Sequence, residues 1–166
     1  APWQMHGEFQ GVPVRIERMQ RGSRNRKRTY TRITVAFNEP LDWGLQVSHE
    51  GWLDRMATAL GGEDVQIGGR QSELDKLVRI RIGAGPAGDA AESRRTSIEA
   101  ELRKLFQDSS VSPAIIKLFE EYPGCIVDDA GMALESEGTV TDETQLRAAL
   151  TALTNCVRPI NRAREF

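Results

Sequence analysis

The chain has 166 residues, 39% of them hydrophobic and 28% charged, with a formal net charge of −2. That length suits one domain whose core needs no metal or disulfide, and the composition is ordinary for a globular protein. The small net charge excludes an overall pull towards nucleic acid or anionic membranes, and no apolar run reaches the roughly 18–20 residues that span a bilayer.

The chain starts Ala-Pro-Trp rather than with Met, and no secretory apolar segment is present. Residues 1–10 read as a flexible lead-in or vector-derived remnant of an excised piece, with a single domain over 11–166. Residues 11–37 then have the pattern of a β-hairpin. Val12, Val14 and Ile16 alternate with Pro13, Arg15 and Glu17 on the first arm. Pro13 lacks an amide hydrogen and points to an edge position or a strand start. Thr31, Ile33, Val35 and Phe37 share one face of the second arm, and Asn38-Glu39-Pro40 stops it.

Between the arms, residues 21–28 read Arg-Gly-Ser-Arg-Asn-Arg-Lys-Arg, flanked by Arg18 and Arg32. A solvated hairpin tip kept apart from other chains by like charge accounts for this run. The functional alternative is a phosphate-contacting patch of Arg21, Arg24, Arg26, Lys27 and Arg28 for nucleic acid or lipid headgroups. Tyr30 is the only aromatic residue close by, too little for a base-stacking platform.

Over 41–69 the pattern is strand, short helix, strand. Leu45 and Val47 alternate with polar neighbours. Trp52, Leu53, Met56 and Leu60 have helical spacing before Gly61-Gly62, and Val65 and Ile67 form a brief strand ahead of Gly68-Gly69. Val78, Ile80 and Ile82 alternate with Arg79 and Arg81, the one-sided pattern of an antiparallel strand. Residues 83–88 then spell G-x-G-x-x-G. A dinucleotide site needs a buried parallel strand and a free amide at each turn position, so this one-sided strand and Pro86 favour an ordinary loop.

A helix follows from Asp89 or Thr96 to Gln107, with Thr96-x-x-Glu99 as a capping box and Ile98, Leu102, Leu105 and Phe106 as its stripe. Pro113 suits the first turn of another helix, with Ser112 as its cap and Ile115, Ile116, Leu118 and Phe119 as its apolar side. Cys125-Ile-Val127 and Met132-Ala-Leu134 form two short strands linked by a turn at Asp128-Asp-Ala-Gly131. The strongest helical pattern is last: Leu146, Ala149, Leu150, Leu153, Val157 and Ile160 recur three and four apart, with Thr141 or Asp142 as cap. The sum is an α+β fold: a mainly antiparallel sheet with three or four helices on one face and a long C-terminal helix.

No constellation assembles chemistry. Only His6 and His49 exist, neither in a triad signature nor at zinc-ligand spacing. Cys125 and Cys156 read as buried free thiols, with a disulfide as the alternative. Asp128 and Asp129 fit a turn better than a catalytic pair, because adjacent residues of an extended chain face opposite ways. An enzyme would have to draw on scattered carboxylates such as Asp75, Asp128 and Asp129. No catalytic residue, metal or cofactor is expected.

Asp64-Val-Gln-Ile-Gly68, then Leu74-Asp-Lys-Leu-Val-Arg-Ile80, then a helix, an acidic hairpin and a final amphipathic helix resemble an uncharacterised type of bacterial domain. The likeness runs over residues 11–162 in order of elements, with Leu74 and Leu77 standing where that pattern carries aromatics. It implies a bacterial soluble domain, cytoplasmic or tethered to a membrane by helices that precede it, and supplies no catalytic residues. The functional expectation is therefore a non-enzymatic interaction or scaffold domain of a larger protein, with a protein partner. Weak polyanion binding through 21–28 is the alternative, and a carboxylate-based enzyme the third.

Overall fold

Eight strands form one fully antiparallel sheet in the computed structural model, which describes residues 2–50, 63–65, 67, 72–83 and 89–165. In chain order the elements are β1 (Trp3–Phe9), β2 (Val12–Arg21), β3 (Arg28–Ala36), β4 (Gln46–His49), β5 (Glu63–Val65), α1 (Ser72–Leu77), β6 (Val78–Ile82), α2 (Asp89–Gln107), α3 (Val111–Glu121), β7 (Cys125–Asp128), β8 (Gly131–Glu137) and α4 (Glu143–Ala163). The spatial order β1-β2-β3-β8-β7-β4-β6-β5 places the C-terminal hairpin between β3 and β4. This is the α+β architecture the alternating strands and striped helices imply, with a long C-terminal helix.

One row of side chains crosses the whole sheet. Gly7, Val14, Val35, Met132, Val127, Val47, Ile80 and Val65 are successive cross-strand partners, so all lie on one face. From Val35 onwards every one of them is buried in the core. The helices cover this face: α4 lies over β3 and β8, and α1 and α2 meet β6. α3 packs against α1, α2 and α4. Ile115, Leu118, Phe119, Leu153 and Val157 supply the helix side of that core, as their spacing predicts.

Local caps differ in detail from the sequence reading. Asp142 does cap α4, accepting from the amides of Thr144 at 2.8 Å and Gln145 at 3.3 Å. Pro159 sits within α4, which nonetheless continues to Ala163. Thr96 is not a cap. α2 starts at Asp89, and the Thr96 hydroxyl donates to the Glu92 carbonyl one turn back. Ser112 is likewise inside the first turn of α3, where its hydroxyl donates to the Phe106 carbonyl and ties α3 to the end of α2.

Two further elements differ. α1 escaped the sequence reading because its six residues are shorter than two helical turns and give no periodicity. Residues 3–9 are not a flexible lead-in. They pair with β2 in continuous register from Trp3 opposite Arg18 to Phe9 opposite Val12. The turn between them is Gln10-Gly11, both at positive φ (51° and 79°), the conformation of a two-residue hairpin that follows the strand twist. Arg158 of α4 donates to the Gln10 carbonyl and fastens this turn. Pairing of β2 with β3 begins only at Val14, just past Pro13 and its missing amide hydrogen. The expected helix at 52–60, its stop at Gly61-Gly62, Gly68-Gly69 and the Ala84–Gly88 part of the glycine-rich loop lie outside the described residues.

Candidate functional site

The basic run caps a long hairpin, because β2 and β3 stay paired as far as Arg21 opposite Arg28. The structure divides its five cations into two groups. Arg21 grips Glu135 of β8 with both terminal nitrogens, at 2.8 and 2.7 Å, and lies over the Tyr30 ring 5.7 Å from its centre. Arg28 meets Glu137 at 3.3 Å. Both carboxylates lie on the solvent face of the sheet, where Arg32 also approaches Glu135 and Arg15 approaches Glu17. Arg24, Arg26 and Lys27, by contrast, are exposed at the tip and have no acidic partner among the described residues.

Behind the tip, on the helix side of the sheet, lies an apolar strip that the sequence reading missed. Met5, Ile16, Ile33, Leu134 and Cys125 are successive partners across five strands. Exposure along that row rises from 0% at Cys125 and 2% at Ile33 to 58% at Met5, with Ile16 in between. Trp3, one pair further along β1, is 39% exposed. These two are the exposed large apolar side chains among the described residues. The available signal was the alternation Trp3, Met5, Gly7, Phe9, hidden because Gly7 interrupts it and the segment opens the chain.

Arg18 stands on the same face between Trp3 and Thr31, its Nε buried without a hydrogen-bond partner. Thr31 in turn accepts from the Val140 amide at 3.1 Å and donates to the Gly138 carbonyl at 2.8 Å. It thereby holds the approach to α4 against β3. At the other end of α4, the Asn161 side chain accepts from the Asn38 amide at 3.1 Å. α4 therefore runs lengthwise along β3, and the strip lies beside it.

The carboxylates do structural work in three separate segments. Asp129 accepts from the amides of Gly44 and Leu45, both at 2.9 Å, and from Trp43 at 3.4 Å. Asp128 accepts from Ala130 at 2.8 Å and Gly131 at 3.2 Å, closing the turn. Asp75 accepts from Ile67 at 2.8 Å. The latch on residues 43–45 is needed because this loop presses against β6. A Cβ on Gly44 would come 2.6 Å from the Gly83 Cα, and Gly44 is at φ 62°, so only glycine fits.

Cys125 and Cys156 are both free and buried. Burial pushes the Cys156 thiol up to about 12, slightly offset by Lys117, and pushes Cys125 up with a further contribution from Cys156. Neither is a reactive thiolate. Asp108, next to the start of α3, is held low by the Ser110 hydroxyl and amide. His6 lies on the solvent face of β1 opposite Arg15, and His49 Nδ1 faces the Glu50 carbonyl. No three His, Cys, Asp or Glu among the described residues are grouped to hold a metal ion.

The surface among the described residues also carries concavities. A groove of about 790 Å³ between α3 and α4 has Leu118, Ala148, Ala152 and Cys156 at its floor and Lys117, Glu121, Glu143 and Arg147 at its rim. A smaller one, about 350 Å³, lies among Asp42, Trp43, Glu101, Lys104, Asp108 and Arg164. The first has balanced charge, and the second carries three acids against two bases. No helix among the described residues is long and apolar enough to cross a membrane. No protein-family model, curated protein or solved structure matches this chain.

Proposed function

We propose that this domain is a non-enzymatic interaction module of a larger protein, and that it engages its protein partner through the uncovered face of β1 and β2. The supporting observation is the exposure of Met5 in a side-chain row that is buried from Ile33 onwards, with exposed Trp3 beside it. Monomeric proteins keep large contiguous apolar patches covered, and patches left open mark contact sites. The likeness to bacterial domains that follow membrane helices agrees with a tethered scaffold.

The test replaces Met5 by a photo-crosslinking residue in the host cell and repeats the capture with Met5→Glu. A defined partner that crosslinks at position 5 and is lost from the Met5→Glu protein is the expected result. Turnover in a broad substrate screen that survives exhaustive purification would overturn the reading.

A second reading, weak polyanion binding, draws on Arg24, Arg26 and Lys27 alone, since acids already neutralise Arg21 and Arg28. Replacing those three by Ser should remove salt-dependent binding to heparin or anionic vesicles. Binding that persists in the triple variant would sink this reading.

A further inference from the structure

We infer that the uncovered face of β1 and β2 is the seat of an acidic amphipathic helix belonging to a protein partner. This rests on the interaction-module reading and names the ligand of that surface.

The shape of the surface selects a helix. α4 follows β3 from Thr31 to Asn38, so a step runs parallel to the strands, with α4 as its wall and β1 and β2 as its floor. The floor is apolar at Met5 and Ile16, with Trp3 at one end and Val14, already packed against the core, at the other. Two strands about 4.8 Å apart give a floor of about 10 Å, the width of one helix. The open part of β1, the five residues from Trp3 to Gly7, runs for about 16 Å, the length of about 11 helical residues, before Phe9 and Val12 meet the core. A helix laid there would continue the layer that α4 begins. A flat bilayer would rest on α4 and miss the floor. A second copy paired through the edge of β1 would lengthen the sheet and leave both floors bare.

Charge selects an acidic helix. Arg18 stands on this face beside Trp3, and its buried Nε lacks a partner. Arg24, Arg26 and Lys27 lie beyond it at the tip and form no ion pair among the described residues. Glu135 and Glu137 point to the opposite face and are occupied by Arg21 and Arg28. An apolar stripe with acidic flanks satisfies both the floor and these cations.

The probe is a display library of helices about 16 residues long, carrying a fixed leucine stripe and randomised polar positions, selected against the intact chain. Enriched clones should be rich in Asp and Glu and bind the Met5→Glu protein at least about tenfold more weakly. Their affinity should also fall with salt and on replacing Arg24, Arg26 and Lys27 by Ser. Met5 is 58% exposed, so Met5→Glu should leave the urea midpoint unchanged and report docking rather than folding.

Clones without acid enrichment, or clones indifferent to Met5→Glu, would overturn the inference. So would Met5-dependent binding to phosphatidylglycerol vesicles, or Met5-dependent dimerisation in sedimentation equilibrium. A partner crosslinked at position 5 through something other than an acidic helix removes the helix but keeps the interaction module. No Met5-dependent complex of any kind removes both.

Discussion

Ile33 and Met5 occupy one row on one face of one sheet, yet the first is 2% exposed and the second 58%. From β3 to β5 the face is roofed by helices, and every side chain in the central row is buried. At β1 and β2 the same strand pattern continues while the cover runs out: Val12 is buried and Phe9 and Val14 still pack against the core, but Ile16 is half-buried and Met5 and Trp3 are exposed. Alternation decides which side chains share a face, whereas burial depends on a second layer arriving from elsewhere in the chain. A half-buried strand and an unroofed strand are therefore written alike.

The sharpest way to break this contrast is to remove the same kind of mass from each end of the row. Ile33→Ala should destabilise by about 2–5 kcal/mol, because a close-packed site keeps the cavity. Ile16→Ala should cost about 1 kcal/mol and Met5→Ala less than about 0.5 kcal/mol, read from urea titrations. Equal losses at all three positions would mean that β1 and β2 are roofed in solution.

Asp129→Ala comes next. It orphans the amides of residues 43–45 beside β6, and a loss of about 2 kcal/mol is expected, with Asp129→Asn recovering part of it. The same titrations test it, and an unchanged midpoint would show that water replaces the carboxylate.

The two thiols of the roofed end supply a pH-dependent check. Both have folded pKa values raised above the ordinary 9.0, so they stay neutral in the fold while the unfolded chain ionises. Their contribution is thus fully present below pH 9.0 and is lost as pH rises from there towards the folded values. The expected loss is about 1.4 kcal/mol per pH unit for each thiol. Comparing the pH 9–11 stability profile with that of the Cys125→Ala/Cys156→Ala protein isolates it. Parallel profiles would show that the thiols titrate while folded. A modest effect belongs to the cap of α4: Asp142→Ala should cost about 1 kcal/mol in a thermal melt, and no change would mean that solvent caps the helix equally well.

Much of the fold was legible before any coordinates. The stripe from Leu146 to Ile160 announced α4, the alternation through Val78, Ile80 and Ile82 announced an antiparallel strand, and the Asp-Asp-Ala-Gly turn announced the β7–β8 hairpin. All three depend on neighbours within a turn or two of the backbone, where side-chain spacing is set by helix and strand geometry alone. The candidate site was only half legible. The cluster of cations in 21–28 was visible, but not that Glu135 and Glu137, over a hundred residues away in the chain, would take Arg21 and Arg28 and leave the tip free.

Residue spacing by itself thus specified most of the elements, though not β1 or α1, together with their polar and apolar faces and the α+β class. Tertiary structure decided the strand order, the insertion of β7 and β8 between β3 and β4, the Asp129 latch and the limit of the helical roof. The reason is one of range. A periodic pattern is enforced by bonds between near neighbours, while the cover over a sheet is a competition among distant segments for the same apolar surface. Here α4 takes β3 and β8, and leaves the Trp3–Met5 end of β1 open.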